Sequence, residues 1–201
     1  MFLMSCTKLD IILGPMFSGK TTKLLEIAEN LDSQMIKYII IKPDIDNRYL
    51  DEINQSSNTF VISHNLKKKE CLSSNNLDLI LKDLDSDHLD YILIDEAQFF
   101  PNLYHFVIAC LEKKRINIVL FGLDGDYLRK PMGEILNLVP IANSIVKLKS
   151  SCNFCKEDAI FTHRICSDTK QVLIGGIDKY IPLCRNHYIM ENNLNTSSDY
   201  L

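Results

Sequence analysis

Apolar residues in this chain fall into short unbroken runs. Leu9-Asp10-Ile11-Ile12-Leu13, Tyr38-Ile39-Ile40-Ile41-Lys42, Tyr91-Ile92-Leu93-Ile94 and Asn117-Ile118-Val119-Leu120-Phe121 have strand length and carry β-branched residues. A strand apolar on both faces belongs inside a sheet covered on both sides. Pro43 stops the second run and Gly122 follows the fourth. Helical patterns lie between the runs. Thr21 to Glu29 reads as a helix, and Leu77, Ile80, Leu81 and Leu84 have helical spacing after a capping Asn75 or Asn76. Pro101 takes an early helical position, and apolar residues carry that helix to about Leu111. Thr59 to Ile62 reads as a short strand, Asp44 to Asn58 as a mobile polar loop, and Lys67-Lys68-Lys69-Glu70 as a solvated charged face. The alternation predicts an α/β fold, a parallel sheet covered by helices, with its site at the carboxyl ends of the strands.

Gly14-Pro15-Met16-Phe17-Ser18-Gly19-Lys20-Thr21 joins the first strand to the first helix and fits the phosphate-binding loop G-x-x-x-x-G-K-[ST]. The glycines let backbone N–H groups turn around phosphate oxygens, and the helix N-terminus adds partial positive charge. Lys20 is placed to reach the β- and γ-phosphates, and the Thr21 hydroxyl to ligate Mg²⁺. Asp95 ends the third buried run, the position of an acid that steadies the metal. Glu96 is then available to take a proton from an acceptor hydroxyl, unless the two carboxylates cap the following helix.

Cys152-x-x-Cys155 and Cys184-x-x-His187, 28 residues apart, form two ligand pairs for a tetrahedral Zn²⁺. With all four positions filled by protein, that site is structural. Cys6, Cys71, Cys110 and Cys166 have no such spacing and read as thiols. The chain has 201 residues, 46% of them hydrophobic, enough for one domain with a small appendage. A net charge of −4 argues against a general nucleic-acid binder. No apolar run approaches the ~20 residues of a membrane span, and the N-terminus turns polar too soon for a signal peptide. Cysteines without a disulfide pattern fit a cytoplasmic protein.

With these pieces assembled, the chain resembles the type II thymidine kinases, the family of the cytosolic vertebrate, poxvirus and many bacterial enzymes. The resemblance runs from about Leu9 to Tyr188. Besides the phosphate loop it is carried by Asp95-Glu96-Ala97-Gln98-Phe99-Phe100, Leu123-Asp124-Gly125-Asp126-Tyr127, Arg129-Lys130-Pro131-Met132-Gly133, Ile174-Gly175-Gly176-Ile177-Asp178-Lys179-Tyr180 and Cys184-Arg185-Asn186-His187-Tyr188.

The resemblance implies transfer of the γ-phosphate of ATP to the 5′-hydroxyl of thymidine, with deoxyuridine also accepted, to give dTMP in nucleotide salvage. It implies Glu96 as the base. It implies that Gly14, Pro15, Met16, Phe17, Ser18, Gly19, Lys20, Thr21, Asp46, Asn47, Arg48, Asp95 and Gln98 hold the nucleotide and its Mg²⁺. Asp46 also lies near the reacting centre. Met16, Phe99, Leu123 and Thr162 line the base pocket, and Tyr127 lies against the thymine ring. Gln171, Val172, Leu173, Ile174 and Gly175, with Tyr180, cover the nucleoside.

The implied organisation is a nucleotide-binding α/β domain over 1–150, a zinc-binding lasso over 151–191 and a disordered tail over 192–201. Family members are usually homotetramers and are commonly inhibited by dTTP; neither nucleic acid nor membrane is an expected partner. The sequence departs from the commonest pattern at Ala97, Asp126, His163 and His187, and Asp126 adds a charge near the pocket. Arg129 is open to two readings, a stabiliser of transition-state charge or a surface or interface ion pair. Asp95-Glu96-Ala97-Gln98 also resembles a helicase acidic box, but one compact acidic domain has no room for a second motor domain. A non-enzymatic nucleotide module is the other alternative, and intact Lys20, Thr21, Asp95 and Glu96 count against it.

Overall fold

The computed structural model describes residues 6–44, 59–62, 67–84 and 89–195. The apolar runs become β1 (Leu9–Leu13), β2 (Tyr38–Lys42), β5 (Tyr91–Ile94) and β6 (Asn117–Gly122). They join β3 (Thr59–Ile62), β4 (Lys68–Ser73) and β7 (Ser144–Lys147) in a seven-stranded sheet of order β3-β4-β2-β5-β6-β1-β7. All its pairings are parallel except that of β3 with β4.

Successive side chains of a strand face opposite ways, so each apolar run feeds two cores. On one face Ile12, Ile40, Leu93, Val119 and Phe121 meet α1 (Lys20–Ser33), which buries Leu24, Leu25, Ala28 and Leu31 as a helical stripe. On the other face Ile11, Ile41, Ile92, Ile94, Ile118 and Leu120 pack beneath α2 (Leu77–Asp83) and α3 (Leu103–Ile108). Asn76 caps α2, its side chain accepting from Asp78 N at 3.0 Å.

Three elements differ from the sequence expectation. The charge run is the solvated face expected, but it lies on a strand: within β4 only Cys71 is buried, while Lys67, just before the strand, and Lys69 reach across to Glu29 and Asp32 of α1 as exposed ion pairs. The helix expected from Pro101 to Leu111 starts at Leu103, behind a left-handed Asn102, and continues as a π-helical turn over Ala109–Lys114. β7 carries no burial signal, since all four of its residues are exposed; backbone pairing to β1 holds it.

After the sheet the chain forms β8 (Ser150–Ser151), β9 (Asp158–Ala159), β10 (Phe161–Arg164), β11 (Tyr180–Leu183) and α4 (Arg185–Asn195). These pack around Cys152, Ala159, Leu183 and Tyr188. The polar stretch expected from 192 begins inside α4, and 196–201 lie outside the described residues, as do 45–58 of the expected loop. No helix among the described residues is long and apolar enough to cross a membrane.

Candidate active site

The site forms where β1, β2, β5 and β6 end. Gly14 has no room for a side chain: an added Cβ would lie 2.6 Å from Ser18 Oγ and 2.9 Å from the Leu148 carbonyl. Gly19 turns the chain into α1 with φ +82°, a conformation that favours glycine. Lys20 is buried, and its ammonium donates to the Gly14 and Pro15 carbonyls at 3.0 and 2.8 Å. Ser18 Oγ is buried inside the loop with no hydrogen-bond partner. A buried orphan hydroxyl is costly, and a phosphate oxygen is the kind of acceptor that would satisfy it.

Asp95 anchors through its N–H to the Ile41 carbonyl at 2.9 Å. Its Oδ2 accepts from Thr21 Oγ1 at 3.3 Å, so hydroxyl and carboxylate stand together as a hard-oxygen pair suited to Mg²⁺. Glu96 has φ 47° and ψ 42°, left-handed values uncommon for a residue with a side chain. Asn102, Arg115 and four other non-glycine residues among the described ones share this sign of φ, so the backbone alone assigns Glu96 no role.

Two clefts meet at this point. One, open and of about 1500 Å³, is lined by residues 16–22 of the phosphate loop and α1, by Asp95, and by Lys42, Phe60 and Ile177. The other, of about 570 Å³, is walled by Phe99, Leu123, Tyr127, Thr162 and Tyr180, and by the segment from Gln171 to Gly175. Met16, Glu96 and Gly175 line both. Thr162 is fixed there by accepting from the Met16 N–H at 3.0 Å, which ties β10 to the phosphate loop.

The expected pocket residues Met16, Phe99, Leu123, Tyr127, Thr162, Gln171, Val172, Leu173, Ile174, Gly175 and Tyr180 therefore share one cavity. Asp46, Asn47 and Arg48 lie outside the described residues. Gln98, expected at the nucleotide, lines neither cleft. It is buried, donating from Nε2 to Glu96 Oε2 at 2.7 Å and accepting at Oε1 from Leu123 N at 3.0 Å. Asp126 is buried and satisfied, its Oδ1 accepting from Leu128 N at 2.9 Å and Lys130 N at 2.8 Å. Arg129 also lines neither cleft; its guanidinium sits over the Tyr188 ring at 4.8 Å.

The sequence reading missed Arg164. It is buried, with its guanidinium 3.8 Å from the Tyr127 ring centre. It donates to the carbonyls of Asp168 at 2.9 Å and Gln171 at 3.2 Å, and to Tyr180 Oη at 2.7 Å. Tyr180 Oη in turn donates to the Leu173 carbonyl at 2.7 Å. One cation thus gathers the strap that covers the pocket. An isolated arginine in a polar stretch gives no local sign of such a role.

Cys152, Cys155, Cys184 and His187 converge, their ligand atoms all within 4.8 Å of one another. A zinc tetrahedron with bonds of about 2.3 Å to sulfur and about 2.0 Å to nitrogen has edges of roughly 3.6–3.8 Å. The cluster shows 3.8 Å between Cys155 and Cys184 Sγ and 3.6 Å between Cys152 Sγ and His187 Nδ1, with a closer 3.2 Å between Cys184 Sγ and the same nitrogen. Burial pushes the Cys152 thiol up, but hydrogen bonds from the backbone of Cys155, Cys184 and Phe154 outweigh it and bring the pKa down to about 6. A thiolate is what a metal needs, so the donor set fits zinc.

The sequence profile of the family described as thymidine kinase matches residues 7–188. A rice (Oryza sativa subsp. japonica) protein named thymidine kinase is 39% identical over 189 residues, which cover 90% of this chain and 66% of that protein. Human cytosolic thymidine kinase is 36% identical over 183 residues, covering 90% of this chain and 73% of the human protein. The thymidine kinase of Myxoma virus (strain Lausanne) is 33% identical over 181 residues, covering 90% of this chain and 96% of the viral one.

Proposed function

We propose that this chain, which belongs to the thymidine kinase family, phosphorylates thymidine to dTMP by transferring the γ-phosphate of ATP to the 5′-hydroxyl, with Glu96 as the base. The supporting observation is the position of Glu96, which lines both the cleft of the phosphate loop and the smaller, mainly apolar cleft beside it. A kinase needs one proton acceptor between its two substrates.

In this reading Lys20 and the loop amides from Gly14 to Thr21 bind the triphosphate, and Asp46, Asn47 and Arg48, which lie outside the described residues, are assigned to it by the family resemblance alone. Mg²⁺ held by Thr21 and Asp95 supplies charge neutralisation. Glu96 takes the hydroxyl proton as the phosphoryl group departs. Met16, Phe99, Leu123, Tyr127 and Thr162 orient the base, while the strap from Gln171 to Gly175, with Tyr180, excludes water that would otherwise attack the phosphate. Zn²⁺ on Cys152, Cys155, Cys184 and His187 supplies a crosslink at the base of that strap. Residues 1–150 then act as the nucleotide-binding domain and 151–191 as the zinc-held lasso. A homotetramer, feedback inhibition by dTTP and a cytoplasmic location complete the proposal, with no nucleic-acid or membrane partner.

Labelled ATP offered with a panel of nucleosides tests it. Thymidine is expected to exceed deoxycytidine by at least on the order of 10²-fold in kcat/KM, because cytosine exchanges both the 4-keto oxygen and the N3–H and leaves buried polar groups unpaired. Deoxyuridine lacks only a methyl and should lose about 1–3 kcal/mol. Comparable efficiency on thymidine and deoxycytidine would overturn this assignment.

A further inference from the structure

Gln98 has a fixed orientation. The Leu123 N–H can only donate, so the Gln98 atom 3.0 Å from it must be the amide oxygen. The amide nitrogen is then the atom that faces Glu96 Oε2, 2.7 Å away, a short charge-assisted contact to a carboxylate. The backbone approaches this glutamine closely. A Cβ on Gly122 would lie 2.6 Å from its oxygen, and one on Gly133, whose φ is +61°, would lie 2.1 Å from its main-chain carbonyl. Two glycines thus let the sheet end and the following turn close around one glutamine. Leu123 lines the smaller cleft and Gln98 does not.

We propose that Gln98 is a positioning residue that sets the Glu96 carboxylate in register with the end of β6 and hence with the acceptor pocket. The inference rests on Glu96 being the base. A charge-assisted bond from a buried, oriented donor narrows the directions the carboxylate can take, and small misplacements of a catalytic group cost rate.

The test is a double-mutant cycle on the full chain with Gln98→Met, Glu96→Gln and both together. Gln98→Met is expected to lower kcat by about 10- to 10²-fold while KM for thymidine and ATP stays within about three-fold. In the Glu96→Gln background the same change should cost less than about two-fold, because a residue acting through Glu96 has nothing left to act on. A merely structural role would raise KM, and its loss would multiply with that of Glu96→Gln. If Gln98→Met does not fold, Gln98→Glu keeps an acceptor for the Leu123 N–H and removes the donor, and the same cycle applies. Losses that multiply, or an unchanged kcat in the Gln98 variant, overturn the inference. Full turnover in Glu96→Gln alone overturns the base assignment, and this inference with it.

Discussion

The side-chain amide of Gln171 donates to Asp126 Oδ2 at 3.0 Å, joining the strap over the pocket to the turn that follows β6. The other carboxylate oxygen already closes that turn through Leu128 and Lys130. The charge that the sequence places near the pocket is therefore occupied in holding the strap.

Loss of this tie should weaken nucleoside binding more than chemistry. Gln171→Met is expected to raise KM for thymidine by about 10- to 10²-fold, the worth of one hydrogen bond to a charged group, and to leave KM for ATP unchanged. Asp126→Ala should be worse, since it also strands two backbone donors at about 1–3 kcal/mol each. Steady-state kinetics and thermal melting check both; an unaltered KM in Gln171→Met would refute the tie.

Tyr127 offers a ring to Arg164 and a hydroxyl that donates to the Thr169 carbonyl at 3.0 Å. Tyr127→Phe keeps the ring and should cost about 0.5–1.5 kcal/mol in kcat/KM. Tyr127→Ala removes a pocket wall and the platform for the guanidinium, and should cost on the order of 10²-fold or more. Arg164→Lys should resemble the alanine variant, because an ammonium cannot reproduce the planar fork. Equal effects of the phenylalanine and alanine variants would exclude a role for the ring.

Protein purified without chelator should carry about one zinc per chain, the content of one four-ligand site. Cys184→Ser should lose the metal and increase protease sensitivity between the two ligand pairs while ATP binding persists, since the phosphate loop lies on the sheet domain. Elemental analysis without zinc in the unaltered protein would end this reading.

Burial lowers the pKa of His163 below the usual histidine value, with Glu191 pulling the other way. The unfolded chain then binds the proton more readily than the folded one, so stability is greatest above the unfolded value of about 6.5 and falls as the pH drops through it. His163→Gln should therefore lose less thermal stability between pH 7.5 and 5.5 than the unaltered chain. Parallel losses in the two proteins would show that His163 is not the group responsible.

Features encoded locally are legible in the chain alone. The bounds of β1, β2 and β5 follow from runs of apolar residues, the phosphate loop from eight consecutive residues, and the cluster of three cysteines and His187 from two short spacings. Each such signal lies within one turn or one strand, where backbone geometry and side-chain period act directly. Tertiary structure decided what depends on neighbours distant in the chain. β4 is a strand because β2 and β3 pair with it, and β7 because β1 does, although neither has the burial pattern of a core strand. Thr162 faces Met16, Gln98 faces Leu123 and Arg164 lies on Tyr127 only because the sheet brings strand ends together and the β10–β11 hairpin folds back over them. Polar partners of this kind are fixed by distance and orientation after packing, and neither quantity has a period or a spacing along the chain.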